Sequence, residues 1–239
     1  MRALRVLAAA AALASTAQAA AAQVGHAPGQ SPYRDILKGH SVTGVFGHIS
    51  GDGGRFGIAP HSGYVYGIRY DIRAGSPIQM GLGFARADLE RLIVNPFVAL
   101  GNRTSGPFTQ TVSFVEFDLL LNVTGGKSWR RLAPFVGSTI GVTFPSGTAA
   151  DSSGFKFGRK LYLAPTVGTR IFLTDRLHLR AEARATFWKL KYPASFQQEP
   201  VEEPGNPPDN SNAVITDGRV QQWTATPWLQ VGLGYSFSP

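Results

Sequence analysis

The stretch from Trp223 to Phe237 alternates between an apolar, partly aromatic face and a face of mostly small or polar side chains. A period of two residues is the period of a β-strand, because successive side chains of a strand point to opposite faces. Soluble strands usually run for about 5–6 residues, whereas this one would extend roughly 45–50 Å at about 3.3 Å per residue. That length is enough for a strand tilted by about 40° to cross an outer membrane, with aromatic side chains at both surfaces.

The first residues carry the three-part pattern of a secretory signal peptide. Arg2 and Arg5 precede an apolar run, Val6–Ala14, and small residues follow. The run is too short to span a hydrocarbon core of about 30 Å, and A-x-A sequences allow cleavage after Ala19 or Ala22. We therefore predict export through the Sec pathway. The predicted division is a signal peptide over residues 1–22, a periplasmic N-terminal segment over 23–39, and a folded domain over 40–239.

Composition narrows the class of protein further. The chain has 23 Lys and Arg against 15 Asp and Glu, with a net charge of +8. The basic residues are scattered without a basic helix or a nucleic-acid-binding motif, so we expect contact with anionic lipid headgroups and no nucleic acid. The chain has no cysteines, so the exported fold has no disulfides. Outside the signal peptide there is no run of about twenty apolar residues, so only strands could cross a membrane.

Glycine and proline divide the chain into eight candidate strands, and the links between them alternate between short and long. Outer-membrane barrels show this alternation because short turns lie on the periplasmic side and long loops lie outside. The predicted strands are His40–Ile49, Ser62–Ala74, Pro77–Leu89, Phe108–Val123, Leu132–Phe144, Lys160–Leu173, Leu177–Leu190 and Trp223–Phe237. The short links are 75–76, 124–131 and 174–176, and the long links are 50–61, 90–107, 145–159 and 191–222. Pro165 and Pro227 fall inside strands and predict a bulge or a position near the membrane rim.

These features predict an all-β fold, an eight-stranded antiparallel up-and-down transmembrane β-barrel. Charged side chains lie on the polar face of the strands, near mid-strand. In a soluble barrel of the lipocalin type this face would meet water; in a membrane barrel it would line the lumen, where unpaired charges are costly. Balanced signs favour mutual pairing across a narrow lumen, and the strand lengths favour the membrane barrel. The predicted lumen polar network consists of Arg69, Asp71, Glu116, Asp118, Arg170, Arg180, Glu182 and Arg184.

The last predicted strand carries a polar residue, a glycine and two aromatic residues at a defined spacing: Gln230, Gly232, Tyr235 and Phe237. This pattern resembles the C-terminal assembly signal of bacterial outer-membrane barrels. Together with the strand architecture, the chain resembles the small eight-stranded outer-membrane barrels of the OmpA, OmpX and OmpW kind. The resemblance implies a Gram-negative outer-membrane location, with outer-membrane lipids and lipopolysaccharide around the barrel. It also implies recognition by periplasmic chaperones and the barrel-assembly machinery, and we expect a monomer.

The candidate catalytic residues are His48 and Ser50, at the end of the first predicted strand, and His61, before the second. Nucleophilic catalysis needs a serine near a base that a third group orients. Some small outer-membrane barrels that modify lipids carry such a set. The asparagine and downstream glutamate that accompany the His-x-Ser of lipid A deacylases are absent here, which favours polar residues at a strand rim. We therefore predict no catalytic residue, no cofactor and no metal.

The segment Pro193–Asp209 is rich in proline and carboxylates. This composition favours a disordered, solvated external loop. The alternative is a loop that binds a divalent cation or a partner.

Three functions remain open at this point. An eight-stranded barrel is only just wide enough for side chains, so the first hypothesis is a non-enzymatic barrel with a polar, salt-bridged, plugged lumen. Its external loops would act in adhesion, surface interaction or envelope integrity. The second is a narrow, porin-like channel for small hydrophobic solutes, which the OmpW resemblance allows. The third is a lipid-modifying deacylase or acyltransferase.

Overall fold

The computed structural model describes residues 31–147, 151 and 153–238. The predicted signal peptide, residues 1–22, lies outside the described residues, as does the first part of the predicted segment 23–39. Ten strands form one sheet, and eight of them close into an antiparallel barrel. The predicted fold class is therefore confirmed. In the described residues, no helix is long and apolar enough to cross a membrane.

The barrel strands begin and end close to the predicted bounds. They are β2 (His40–Ile49), β3 (Ser62–Arg73), β4 (Ile78–Val94), β5 (Thr104–Asn122), β7 (Leu132–Ser146), β8 (Lys160–Phe172), β9 (Leu177–Lys191) and β10 (Gln221–Phe237). Two short strands, β1 (Tyr33–Asp35) and β6 (Lys127–Trp129), and two 3-10 helices, Leu100–Asn102 and Ala194–Gln197, complete the fold. The largest difference is at β4 and β5, which leave only residues 95–103 of the link predicted over 90–107.

The barrel closes because β10 pairs with both β9 and β2. Val231 lies opposite Ala181 on one side and opposite Phe46 on the other. Each barrel strand therefore has two antiparallel neighbours, so the wall has no open edge that could pair with another chain.

The outer wall is apolar around the middle of the barrel. Ile68, Leu82 and Leu233 are each more than half exposed, although they are large hydrophobic side chains. On β3, β5, β8 and β9 the alternate positions carry the charged residues, which are buried. A soluble barrel places these two faces the other way round, so the wall matches a barrel whose outer surface meets lipid.

Toward the long loops the two faces are exchanged: the outward side chains become charged and the inward side chains become apolar. On β4 the outward side chains change from Phe84 to Arg86 and Asp88, while Ala87 and Leu89 are buried inside. The Thr111 hydroxyl donates to Asp88 at 2.6 Å on this outer surface. Charged groups outside and apolar groups inside are the pattern of a protein in water. The β4–β5 hairpin thus extends past the apolar belt, as far as Val94 and Thr104, and so beyond the strand ends predicted from the sequence.

The two prolines within strands lie where the hydrogen-bond ladder is interrupted. Pro165 lies opposite Ser138 on β7, but the ladder between β8 and β9 skips from Leu163 to Thr166. Pro227 lies just past the end of β2, where its carbonyl accepts a hydrogen bond from the Ser50 N–H at 2.8 Å. Proline has no N–H to donate, so both positions avoid leaving a regular ladder incomplete.

The end of the predicted N-terminal segment forms a small ribbon with the link between β5 and β7. β1 pairs with β6 in antiparallel register, and Ile36 N–H donates to the Gly126 carbonyl at 2.9 Å. The sequence analysis did not predict this ribbon, because strands of three residues carry too short a pattern to be recognised.

Single-tryptophan variants give a test of which face meets lipid. Trp223 is 66% exposed on the outer wall, whereas Trp228 is 1% exposed in the interior. With the other tryptophans replaced by phenylalanine, we expect brominated phospholipids to quench the fluorescence of Trp223 strongly and that of Trp228 weakly, because quenching requires contact. Equal quenching of the two would contradict the assignment of the faces.

Candidate functional site

The charged side chains predicted for the lumen are all buried inside the barrel. They come from four strands: Arg69 and Asp71 from β3, Glu116 and Asp118 from β5, Arg170 from β8, and Arg180, Glu182 and Arg184 from β9. β4 leaves room for them, because Gly81 lies opposite both Asp71 and Asp118. A Cβ at Gly81 would lie 2.7 Å from the Asp71 carboxylate, so any larger residue would push the charged groups apart.

Glu182 is the centre of the network. Its carboxylate accepts hydrogen bonds from Arg180 Nε at 2.8 Å and from Gln230 Nε2 at 2.9 Å. Arg184 and Arg69 form ion pairs with it at 3.1 and 3.5 Å. Donors from β3, β9 and β10 thus converge on one carboxylate, and charge-assisted hydrogen bonds of this kind offset the cost of burying it.

Asp118 connects this centre to the opposite part of the wall. Arg69 Nη2 pairs with Asp118 at 2.9 Å and with Asp71 at 3.0 Å. The Thr139 hydroxyl on β7 donates a further hydrogen bond to Asp118. Arg69 therefore links β3, β5 and β9 through three different carboxylates.

Glu116 and Arg184 form the part of the network nearest the long loops. Arg184 Nη1 pairs with Glu116 at 2.9 Å, and the Tyr162 hydroxyl donates to the same carboxylate at 2.5 Å. The Arg184 guanidinium also lies over the Trp228 ring, 4.0 Å from its centroid. A Cβ at Gly141 would lie 2.4 Å from the Tyr162 ring, so the backbone of β7 supplies the space that this ring occupies.

Arg170 is held differently from the other predicted lumen residues. Its Nη2 donates to Asn122 Oδ1 at 2.6 Å, and its guanidinium lies 5.7 Å from the centroid of the Phe172 ring. In the part of the chain that the structure describes, no carboxylate lies within ion-pair distance of Arg170. The network of paired charges therefore contains seven of the eight predicted residues.

The predicted network omits the neutral side chains that complete it. These are Asn122, Thr139, Tyr162 and Gln230. All four occupy inward positions of their strands, so the alternation was the signal that could have found them. Their partners could not be predicted, because pairing across the lumen depends on the register of strands that are distant in sequence.

Aromatic side chains fill much of the remaining interior. Trp188, Trp228, Tyr162, Phe114 and Phe135 are each at most 2% exposed. The Arg180 guanidinium stacks on Phe135 at 4.3 Å. The interior at this level is therefore a packed core with paired charges.

The long loops fold over this end of the barrel into an apolar cap, defined by Ile58, Phe155, Tyr192, Phe196 and Ile215. Each is at most 2% exposed. Ile215 N–H donates to the Phe196 carbonyl at 2.7 Å, and the Tyr192 and Phe196 rings stack at 6.2 Å. Burial raises the pKa of the Tyr192 hydroxyl, which donates to a side-chain amide of β10 at 2.7 Å.

The cap corrects the prediction that Pro193–Asp209 is disordered. Phe196 anchors the segment in the cap, and its acidic residues hold the loops together. Glu199 accepts hydrogen bonds from the Ser211 hydroxyl and from backbone N–H groups of Gly205 and Asn212, which lower the pKa of this carboxyl. Glu202 accepts from the Ala99 N–H at 3.0 Å. Among the described residues, no His, Asp and Glu cluster could hold a metal ion.

Replacing Phe196 with alanine is expected to open the cap locally. Truncating a buried phenylalanine costs about 3–5 kcal/mol, and cleavage by a protease follows the population of the open form. We expect limited proteolysis within residues 192–220 to become at least about tenfold faster. Val201, which is 80% exposed in the same loop, provides the matched control. If Val201→Ala had the same effect as Phe196→Ala, the cap would not be the cause.

The three candidate catalytic residues are not joined. His48 is exposed on the outer wall, with its ring 5.3 Å from Tyr64. His61 Nδ1 lies 2.9 Å from the Ala59 carbonyl and therefore donates its proton there. Ser50 is exposed, and its backbone N–H bonds to Pro227. In the described chain, no hydrogen bond connects any two of these three side chains, so the structure shows no serine activated by a base.

The four residues of the predicted assembly signal have structural roles in the closed barrel. Gln230 bonds to Glu182 inside, and a Cβ at Gly232 would lie 2.7 Å from the Gly44 carbonyl. On the periphery, the Tyr235 hydroxyl accepts from Arg176 at 2.9 Å, and the Phe237 ring stacks near His40 at 5.7 Å. Recognition of these residues during assembly remains a prediction.

No protein-family model and no curated protein matches this sequence. Among solved structures, the chain is similar to Neisserial surface protein A, with 10% identity and a TM-score of 0.51, over 87% of this chain and 98% of that one. It is also similar to outer membrane protein OprG from Pseudomonas aeruginosa, with 12% identity and a TM-score of 0.47, over 88% and 100% of the two chains. Ail of Yersinia pestis, the attachment invasion locus protein, gives 10% identity and a TM-score of 0.36, over 84% and 100%.

These neighbours are small eight-stranded outer-membrane β-barrels. The chain described here has the same fold, a closed eight-stranded antiparallel barrel. At these identities the likeness concerns the fold alone, so the function has to be argued from the chain's own residues.

Proposed function

We propose that this chain is an integral, non-enzymatic protein of the bacterial outer membrane whose lumen is closed by its salt-bridged network. One observation supports this most strongly: the same strands carry an apolar face outside and paired charges inside. Transfer of the outer face into lipid is favourable, and inside the lumen each network carboxylate has an arginine partner. The outer-membrane location of the solved neighbours agrees with this placement.

The exchange of faces supports the orientation. Charged outward residues begin at Arg86 on β4 and at Lys189 on β9, both on the long-loop side. Short turns of outer-membrane barrels lie in the periplasm and long loops outside the cell. The apolar cap would therefore face the exterior and supply a rigid surface for adhesion, surface interaction or envelope integrity. Assembly would use periplasmic chaperones and the barrel-assembly machinery.

A heat-modifiable gel shift tests the membrane assignment. The protein refolded in detergent is expected to migrate differently before and after boiling, because a closed barrel resists sodium dodecyl sulfate until it is heated. Purification as a soluble monomer without detergent would contradict the proposal.

Two measurements test the closed lumen and the absence of catalysis. In planar bilayers we expect no stable conductance steps, since the interior is packed; regular stepwise openings would favour the narrow channel instead.

Mass spectrometry of lipid A from cells with and without the protein is expected to show the same acyl chains. A change in acylation that disappears in a Ser50→Ala variant would favour the lipid-modifying enzyme.

A further inference from the structure

The outward face of β9 has an unusual order of side chains. Ala181, Ala183 and Ala185 follow one another on the outer wall, and Phe187, Lys189 and Lys191 continue the same face toward the long loops. Most other outward positions of the belt carry large side chains such as Leu, Ile and Phe. The alanines therefore leave a lane along the outside of β9, which ends at two lysines.

The middle of the lane lies in a shallow apolar groove of about 770 Å³, which crosses β9 at Ala181 and Ala183. Val167 of β8 lies on one side of these alanines, and Leu229 and Val231 of β10 lie on the other. An apolar groove of this kind within the belt is complementary to a hydrocarbon chain.

The head of the lane is basic. Lys189 and Lys191 are exposed, and Lys189 lies opposite Trp223 on β10. In the described residues, no carboxylate lies within ion-pair distance of either lysine. Tryptophan beside lysine at the edge of an apolar belt is typical of the interface between hydrocarbon and headgroups.

The dimensions match one leaflet. From Lys189 to Ala181 the strand covers roughly 26 Å at about 3.3 Å per residue. A tilt of about 40° reduces this to roughly 20 Å along the membrane normal, somewhat more than half of a hydrocarbon core of about 30 Å. The lane therefore reaches from the headgroups through the whole outer leaflet.

We propose that β9 binds a phosphorylated, multiply acylated lipid of the outer leaflet, with one acyl chain in the alanine lane and a phosphate at Lys189 and Lys191. This assignment rests on the proposed outer-membrane function and names the chemistry of its lipid partner. A second copy of the chain fits less well, because two copies in one membrane would bring their lysines to the same level, where like charges repel.

Native mass spectrometry of the refolded barrel, released from detergent with added lipid A, tests the site. The probes are diphosphorylated hexa-acylated lipid A and its monophosphorylated form. A lysine near an anionic lipid surface contributes about 1 kcal/mol, or about fivefold in affinity, so Lys189→Gln with Lys191→Gln is expected to weaken binding of the diphosphorylated form roughly 25-fold. Lys127→Gln, near the short turns, is the control and should bind as the parent does.

A second pair of variants tests the lane itself. Ala183→Leu fills the groove and is expected to weaken lipid A binding, whereas Ser113→Leu, a similar outward change on β5, is not. Ala181→Leu replaces Ala183→Leu if the latter does not refold. Equal binding by the filled and control variants overturns the proposal, as does displacement of lipid A by millimolar inorganic phosphate, which would indicate a phosphate site alone.

The gel shift separates the two levels of failure. A preparation that shows no heat-modifiable shift counts against the outer-membrane barrel itself. Preparations that all show the shift, yet bind lipid A equally with and without Lys189 and Lys191, count against the lipid site only.

Discussion

Replacing Glu182 with alanine is expected to lower the free energy of unfolding of the barrel by about 3–5 kcal/mol. The Glu182 carboxylate accepts hydrogen bonds from Arg180 and Gln230 and forms ion pairs with Arg184 and Arg69. Its removal therefore leaves several buried donors without their acceptor. Breaking a buried ion pair by removing one partner costs this much because the remaining charge cannot reach water. No other carboxylate of the network has as many donors.

Urea unfolding in lipid vesicles, followed by tryptophan fluorescence and by the gel shift, measures the loss. Glu182→Gln keeps an acceptor oxygen in place and should lose less than Glu182→Ala. Glu90→Ala, on the exposed outer surface of β4, is the control for removing a carboxylate from the barrel wall. A loss below about 1 kcal/mol for Glu182→Ala, the range of exposed ion pairs, would show that water or movement of the arginines compensates for the change.

The alternation of side chains was sufficient to predict the barrel and its two faces. Positions such as Ile68 and Arg69 differ only in parity, and a strand has to place them on opposite sides of the wall. The alternation of short and long links agreed with the even number of strands counted, and His40–Ile49 begins and ends as predicted. These features are local, so one sequence contains them.

What could not be predicted depends on contacts between distant segments. Gln230 was interpreted only as part of an assembly signal, since its hydrogen bond to Glu182 requires the register between β9 and β10. Phe196 and Ile215 are apolar residues in a proline-rich link, and their burial depends on packing against Phe155 from another loop. The sequence thus predicted the inward and outward side chains of each strand, but not the apolar cap that the long loops form together.

The exchange of faces was visible in the sequence but was not used. On β4 the outward side chains Arg86, Asp88 and Glu90 continue the alternation that Phe84 begins. The predicted strand ends at Leu89, so it includes Arg86 and Asp88 but stops before Glu90. A search that also accepted the opposite pattern, with charged residues outside and apolar residues inside, would have extended the strand. It would also have located the boundary of the membrane.

On β10 the small or polar inward face contains one large aromatic residue, and its replacement is the second prediction with a large effect. Trp228 occupies an inward position among small and polar residues of β10, and it is 1% exposed. Its ring lies beneath the Arg184 guanidinium at 4.0 Å and meets the Phe114 ring edge-on at 5.1 Å. Trp228→Ala is expected to cost about 3–5 kcal/mol, because it removes these contacts and leaves a cavity that the closed wall cannot collapse into.

Trp223→Ala is the matched control on the same strand, since this tryptophan lies on the outer wall where lipid replaces the lost contacts. Both variants are unfolded by urea in lipid vesicles. We expect the free energy of unfolding of Trp228→Ala to be well below that of Trp223→Ala. A double-mutant cycle with Phe114→Ala isolates the aromatic pair, for which we expect a coupling of about 0.5–1.5 kcal/mol. If the two tryptophan variants lost equal stability, the interior of the barrel would be wetter and looser than its packing indicates, and the closed lumen would lose its main physical support.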